Sequence, residues 1–202
     1  MMPVLGTPIP RQVSFVGPFG VGKTTAVCTV SDTNVSSTEV LSSALRARTG
    51  RPGRHLKTTT TVGLEIGEWQ SPDGQTVSVV GTPGQERFDL VRKSAMPRST
   101  GVVLWLFGHH DLALLDTELW LEFIAAEVST SKLTVAVTRL EEAGTQLDGF
   151  REVVATCDDR IPVIAADPRD RDSVVEVLHT ALRIPHSSPA TEKPATEKEA
   201  VG

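Results

Sequence analysis

Cysteine is scarce in this chain: Cys28 and Cys157 are the only two among 202 residues. They stand far apart and outside any metal-ligand spacing, so buried free thiols in a reducing cytosol are expected. A basic excess is missing too. With a formal net charge of −5, the chain does not offer the cationic face that a general nucleic-acid binder needs. Long apolar runs are also absent. The longest, Val102 to Phe107, is far too short to span a bilayer. The opening MMPVLGTPIPRQ lacks both the charged and the apolar region of a signal peptide. Met2 stands where myristoylation requires glycine, and there is no carboxy-terminal cysteine for prenylation. A cytoplasmic protein without a membrane anchor of its own is expected, with any recruitment to a membrane left to a partner.

What remains is ordinary for a globular domain. The composition is 39% hydrophobic and 22% charged, enough for one α/β core plus tails. Residues 1–10 carry three prolines and read as a flexible lead-in. Residues 186–202 contain the tandem repeat PATEK-PATEK and read as a disordered tail, too polar to fold. Between them, residues 11–185 alternate strand and helix patterns. Gln12–Val16 is a short apolar strand, followed by a helix from about Gly22 to Val30. STEVLSSALRA predicts a second helix with an N-cap at Ser37 or Thr38. VGLEIGEW alternates, with Val62, Leu64 and Ile66 on one side, and the SPDG turn returns the chain into TVSVV as a hairpin. GVVLWLF, KLTVAVT and IPVIAA are further strands. DTELWLEFIAAEV, capped by Asp116, QLDGFREVVATC and RDSVVEVLHTAL are helices. Six strands, five parallel and one antiparallel in the hairpin, predict a doubly wound α/β sheet with helices on both faces. Ligands of such sheets sit at the carboxyl ends of the strands.

The first of those ends carries GPFGVGKTT. Gly17, Gly22, Lys23 and Thr24 satisfy the pattern G-x-x-x-x-G-K-[ST] of a P-loop. Its backbone N–H groups, at Gly17, Phe19, Gly20, Val21 and Gly22, turn inward as an anion nest, with Pro18, which has no N–H, completing the phosphate-binding loop. The helix that follows, through Thr25, adds the positive end of its dipole. Lys23 supplies a point charge to the β- and γ-phosphates, and the Thr24 hydroxyl binds Mg2+.

Two further loops make the pattern more specific. KTTTTVGLEIG resembles the first nucleotide-sensing loop of Ras-like GTPases, and TPGQERF resembles the second. Taken with GPFGVGKTT, they are similar to bacterial small GTPases of the MglA type, especially the subgroup encoded in conservon operons, over roughly Arg11 to Leu182. That resemblance implies a P-loop NTPase of small-GTPase form. It places a magnesium-sensing hydroxyl on Thr61, with Thr60 the alternative. It gives Gly84 an N–H toward the γ-phosphate and gives Gln85 the task of orienting the attacking water. A small roadblock-domain protein is the implied regulator, beside an effector that the sequence does not identify.

Departures from the Ras pattern are equally plain. Gly81 stands where an aspartate usually steadies magnesium through water, which predicts weakened magnesium affinity, although the aspartate is commonly absent in the MglA-like group. Phe19 replaces a glycine beside the γ-phosphate and should obstruct an arginine finger. Arg51, Arg54 or Lys57 is a candidate internal finger, or simply part of a solvated loop. The guanine-reading loop should carry N/T-K-x-D but has Thr138-Arg139-Leu140-Glu141. Glu141 can accept from guanine N1–H and the 2-amino group, and the Arg139 stem can pack over the ring. A solvated helix start is the plainer reading. Ala166 and Asp167 are expected to complete the base contacts; another alignment would put Pro168, which has no N–H, at the donor position. His109-His110-Asp111 is a loop or helix cap rather than a metal site. Trp105 and Trp120 are expected in the core, and Trp69 on an effector surface. The expected function is a GTP-binding switch that slowly hydrolyses GTP to GDP. A nucleotide-binding scaffold without hydrolysis, or a protein that accepts ATP, is the alternative.

Overall fold

GVVLWLF and LTVAVT are buried along almost their whole length because both faces of their strands are covered, as in parallel sheets generally. The computed structural model describes residues 11–41, 61–84, 95–109, 112–140 and 145–184. The strands are β1 (Arg11–Val16), β2 (Ser36–Leu41), β3 (Thr61–Gln70), β4 (Thr76–Gly81), β5 (Gly101–Phe107), β6 (Leu133–Thr138) and β7 (Val163–Ala165). The helices are α1 (Lys23–Val30), α2 (Ala113–Ala125), α3 (Thr145–Cys157) and α4 (Arg171–Leu182). All seven strands join one sheet in the order β2-β3-β4-β1-β5-β6-β7. The run from β4 to β7 is parallel, while β3 pairs antiparallel with both β4 and β2.

Alternation along each strand divides the core between two faces. Val13, Phe15, Val103 and Trp105 pack against Val27 of α1 and Val177 of α4. Leu104 and Leu106 face Ile124 of α2 and Phe150 of α3. One ion pair ties the first layer together at its rim. The Arg171 guanidinium, at the start of α4, donates to the Val30 carbonyl at the end of α1 (2.9 Å) and pairs with Asp32. Asp32 in turn accepts from the Gln70 N–H at 2.7 Å. That N–H, with the guanidinium, holds the Asp32 carboxyl below the usual carboxylate range against the opposing effect of burial.

Several expectations are corrected. The sheet has seven strands, not six, because Ser36–Leu41 is a strand where STEVLSSALRA predicts a helix. Its backbone pairs with β3 from Ser36↔Ile66 to Leu41↔Thr61, satisfying the N–H and C=O groups of β3 that point away from β4 and becoming the edge strand itself. Ser, Thr and Val are weak helix formers, so the capping signal is overridden by the ladder. Helix α2 begins at Ala113, with Leu112 at its N-cap and Asp116 inside the first turn. Cys28 and Cys157 are both exposed. Trp120 is half-buried, its ring edge-on to Phe123. Trp105 is buried, as expected. The SPDG hairpin forms, but among the β3 positions whose burial is described (64–70) Gly67 and Trp69 are buried, while Leu64 and Ile66 are half-buried.

Trp69 is therefore core, not an interaction surface: it is 3% exposed and its ring lies 5.5 Å from that of His179 in α4. Trp69→Ala should lower stability by about 3–5 kcal/mol, the range for emptying a buried aromatic site. Urea denaturation measures this, and a change under about 1 kcal/mol would return Trp69 to the surface.

Candidate functional site

Each parallel strand ends on the same edge of the sheet, and of the residues singled out in the sequence the P-loop, Gly84, Thr138, Arg139, Ala166 and Asp167 lie along it. β1 runs into the P-loop through Gly17, whose φ of 134° lies outside the range of ordinary residues. A Cβ at Gly17 would lie 2.1 Å from the Trp105 carbonyl oxygen, so the loop leaves the sheet in backbone contact with β5. Gly22, also at positive φ, forms the N-cap of α1 without a side-chain cap, and no acidic residue occupies the first turn. The first-turn N–H groups and the helix dipole are thus left to attract an anion. Lys23 is buried, and its Nζ donates to the carbonyls of Gly17 (2.8 Å) and Pro18 (2.7 Å). The ammonium is braced against the loop it serves. Phe19 is 72% exposed at the tip, and Thr24 and Thr25 are exposed on the first turn.

β4 leads into Thr82–Gly84 at the same edge. Thr82 is buried and donates both its N–H and its hydroxyl to the Phe15 carbonyl, each at 3.0 Å. This clamps the chain beside β1 as it approaches the P-loop. A Cβ at Gly84 would lie 2.4 Å from the Phe19 nitrogen and 2.6 Å from the Pro18 carbonyl carbon. Backbone cannot yield as a flexible side chain does, so only glycine permits this approach. Gln85, the proposed water-orienting residue, lies outside the described residues, as do Thr60, Glu141, Arg51, Arg54, Lys57, His110 and Asp111. The flanking segments 1–10 and 185–202 lie outside them as well.

Thr61 is held in the ladder between β2 and β3 as the first residue of β3, paired with Leu41. It lies four residues along the strand from Glu65, about 13 Å at 3.3 Å per residue. Glu65, farther along β3, reaches the first turn of α1: the Thr24 hydroxyl donates to its Oε1 at 3.0 Å. A hydroxyl and a carboxylate, both hard oxygen donors, fit Mg2+, which commonly takes one or two protein carboxylates with phosphate oxygens and water. Among the described residues no group of three or more His, Cys, Asp or Glu side chains is arranged to hold a metal.

From the P-loop a cleft of about 700 Å³ runs across the sheet edge to the loops after β6 and β7. That volume suits a mononucleotide-sized ligand. One wall is Gly20 to Gly22, and Pro168 closes on it so tightly that a Cβ at Gly22 would lie 2.6 Å from the proline Cγ. The other wall holds Thr138, Arg139 and Leu140. The Thr138 hydroxyl is buried and has no hydrogen-bond partner among the described residues. Arg139, at φ 54°, sets its guanidinium 5.0 Å from the centre of the Phe107 ring. Sequence reasoning passed over Phe107, whose only signal was its place as the last residue of a buried strand. Ala166 donates its N–H to the Val137 carbonyl (2.9 Å), and Asp167 donates its own to the Ser173 hydroxyl (3.0 Å). Those two N–H groups are committed within the fold, which leaves the Asp167 carboxylate facing Arg169.

No family model matches this sequence, and no curated protein matches it. Solved structures do resemble it. The cytosolic domain of the FeoB iron transporter of T. maritima, in its GMPPNP form, is 16% identical at a TM-score of 0.57, over 86% of this chain and 63% of that one. The G domain of that FeoB alone gives 16% and 0.58, over 86% of this chain and 97% of that one. A variant of Era from Aquifex aeolicus, bound to GDP and AlF4−, gives 15% and 0.59, over 94% of this chain and 62% of that one. The chain thus spans under two thirds of the FeoB cytosolic domain and of Era, and nearly all of the FeoB G domain. The fold is that of P-loop NTPases, in the form that GTPase G domains carry.

Arg169 holds the Asp167 carboxyl down to about 2, through its side chain first and then its backbone N–H. The folded value lies below the ordinary carboxylate value near 4. The pair therefore contributes above about pH 4 and is lost as pH falls through about 2. An NMR titration should show Asp167 charged down to about pH 2, and Arg169→Ala should return its midpoint toward about 4.

Proposed function

We propose that this chain is a guanine-nucleotide-dependent switch that binds GTP and GDP with Mg2+ and hydrolyses GTP slowly. The observation that supports it best is the continuity of the cleft. It begins at an uncapped helix N-terminus with Lys23 braced beside it, and ends at Thr138, Arg139 and Asp167, with room for a nucleoside between. In this reading the loop from Gly17 to Gly22 and the first turn of α1 surround the phosphates. Lys23 and Thr24 meet the β- and γ-phosphates and the cation. The Gly84 N–H, held against Phe19, meets the end of a triphosphate. Mg2+ would neutralise charge on the phosphate oxygens during transfer. Gln85 would orient the attacking water, and without a supplied arginine the rate would stay low.

Thr61, or Thr60, enters this scheme only if the end of the β2–β3 ladder opens, so that segment is where the nucleotide states would differ. An MglA-like role beside a roadblock-domain regulator and a separate effector follows from the sequence resemblance and belongs to the same proposal. Glu141 and Arg139 would read the base. Because Thr138-Arg139-Leu140-Glu141 departs from the usual guanine pattern, ATP is the competing ligand to test.

Displacement of a fluorescent GDP analogue by GTP and by ATP should show GTP the stronger by at least about 100-fold, and equal displacement would end the guanine assignment. Lys23→Ala should weaken nucleotide binding by about 3 kcal/mol, roughly 100-fold, as expected for a charge-assisted contact. In single-turnover assays Gln85→Leu should abolish most hydrolysis while leaving binding intact. An unchanged rate would favour the non-hydrolysing scaffold instead.

A further inference from the structure

Residue 81 lacks the carboxylate that a Ras-like pattern would put there, yet a carboxylate lies at that point in space. Strands β3 and β4 run antiparallel with Glu65 directly opposite Gly81, so the two positions share one face of the sheet. A Cβ on residue 81 would lie 2.9 Å from Glu65 Oε2 and 3.2 Å from Val27 Cγ2. Glu65 thus fills the room that a side chain at 81 would need. Its other oxygen accepts the hydroxyl of Thr24 at 3.0 Å, and Thr24 is the residue whose hydroxyl a P-loop turns toward magnesium.

We infer that Glu65 supplies the acidic partner of the magnesium site from β3, replacing across the ladder the side chain that Gly81 does not have. The inference rests on the nucleotide-binding reading above and names a residue that the reading does not contain. A hydroxyl has one proton and two lone pairs. By donating its proton to Glu65, Thr24 is oriented and made a better donor of electron pairs to a cation. The carboxylate adds a negative charge one hydrogen bond behind the ligand, where it can also hold a water of the hydrated ion. The same geometry explains why residue 81 is small. Two carboxylates directly opposite each other on one face would repel, so glutamate at 65 and glycine at 81 form a matched pair.

The test uses the full chain loaded with a fluorescent GDP analogue, and reads its release rate against free Mg2+. In the native protein release should slow as Mg2+ rises, with a definable midpoint. Glu65→Gln preserves the size of the side chain and an acceptor for Thr24 but removes the charge. It should move the midpoint to about 10–100-fold higher Mg2+, as outer-shell changes typically do, with the thermal unfolding of the nucleotide-free protein unchanged. The double variant Glu65→Ala with Gly81→Asp returns a carboxylate from the other strand and should bring the midpoint back toward the native value. An unmoved midpoint in Glu65→Gln would overturn the inference and leave nucleotide binding standing. A lower midpoint would overturn it too, showing that Glu65 competes with the cation for Thr24. If the native protein binds the analogue with no response to Mg2+, the inference falls and the magnesium part of the proposed function falls with it. If the native protein does not bind the analogue at all, both fall entirely.

Discussion

The arrangement of this molecule depends on leaving the N-terminus of α1 open. A helix start ordinarily finds a side-chain cap, as α4 does in Asp170, which accepts from the Asp172 N–H. Here the preceding residue is a glycine at φ 106°, with no side chain to cap and no acid in the first turn. The positive end of the dipole is available, and a buried lysine is added beside it. Such concentrated positive potential is stable only if neighbouring loops present oxygen to it. The Gly17 and Pro18 carbonyls do so within the loop, and an anionic ligand would do so from outside.

Glycine makes this possible by contact rather than by flexibility. Gly17 lies against the Trp105 carbonyl, Gly22 against Pro168 and Gly84 against the backbone of Phe19. These approaches bring three strand ends and the loop before α4 within reach of one ligand. The loop after β4 consequently meets the P-loop backbone to backbone, so a small displacement of either is felt by the other. Packed elements of this kind transmit discrete shifts rather than continuous deformation. The Thr82 clamp on Phe15 sets the point from which such a shift would begin.

Charge is distributed across strands as well as along them. The acidic group nearest the Thr24 hydroxyl comes from the hairpin strand β3, not from the end of β4. In an antiparallel pair, opposite residues share a face, so a side chain lost from one strand can be supplied by the other with little change in the backbone. At the far end of the cleft, Asp167 and Arg169 neutralise each other at the surface. The Thr138 hydroxyl sits below, without a hydrogen-bond partner among the described residues.

Local signals in the sequence determined the phosphate loop, the order of most elements and the parallel centre of the sheet. These follow from short-range causes: glycine spacing, a lysine after it, apolar runs of strand length and a four-residue turn signal. The fate of Ser36–Leu41 was decided only in the folded state, because its helix signals are weak and its partners on β3 lie about twenty to thirty residues away in the chain. The burial of Trp69 was likewise decided by α4, which arrives a hundred residues later to cover that face. Glu65 is the intermediate case. The SPDG turn announced the hairpin, but placing Glu65 opposite Gly81 requires the register in which Gln70 meets Thr76. A slip of one residue would have moved every side chain to the other face. Register is a tertiary quantity, set by turn geometry and burial together, and it put the carboxylate beside Thr24.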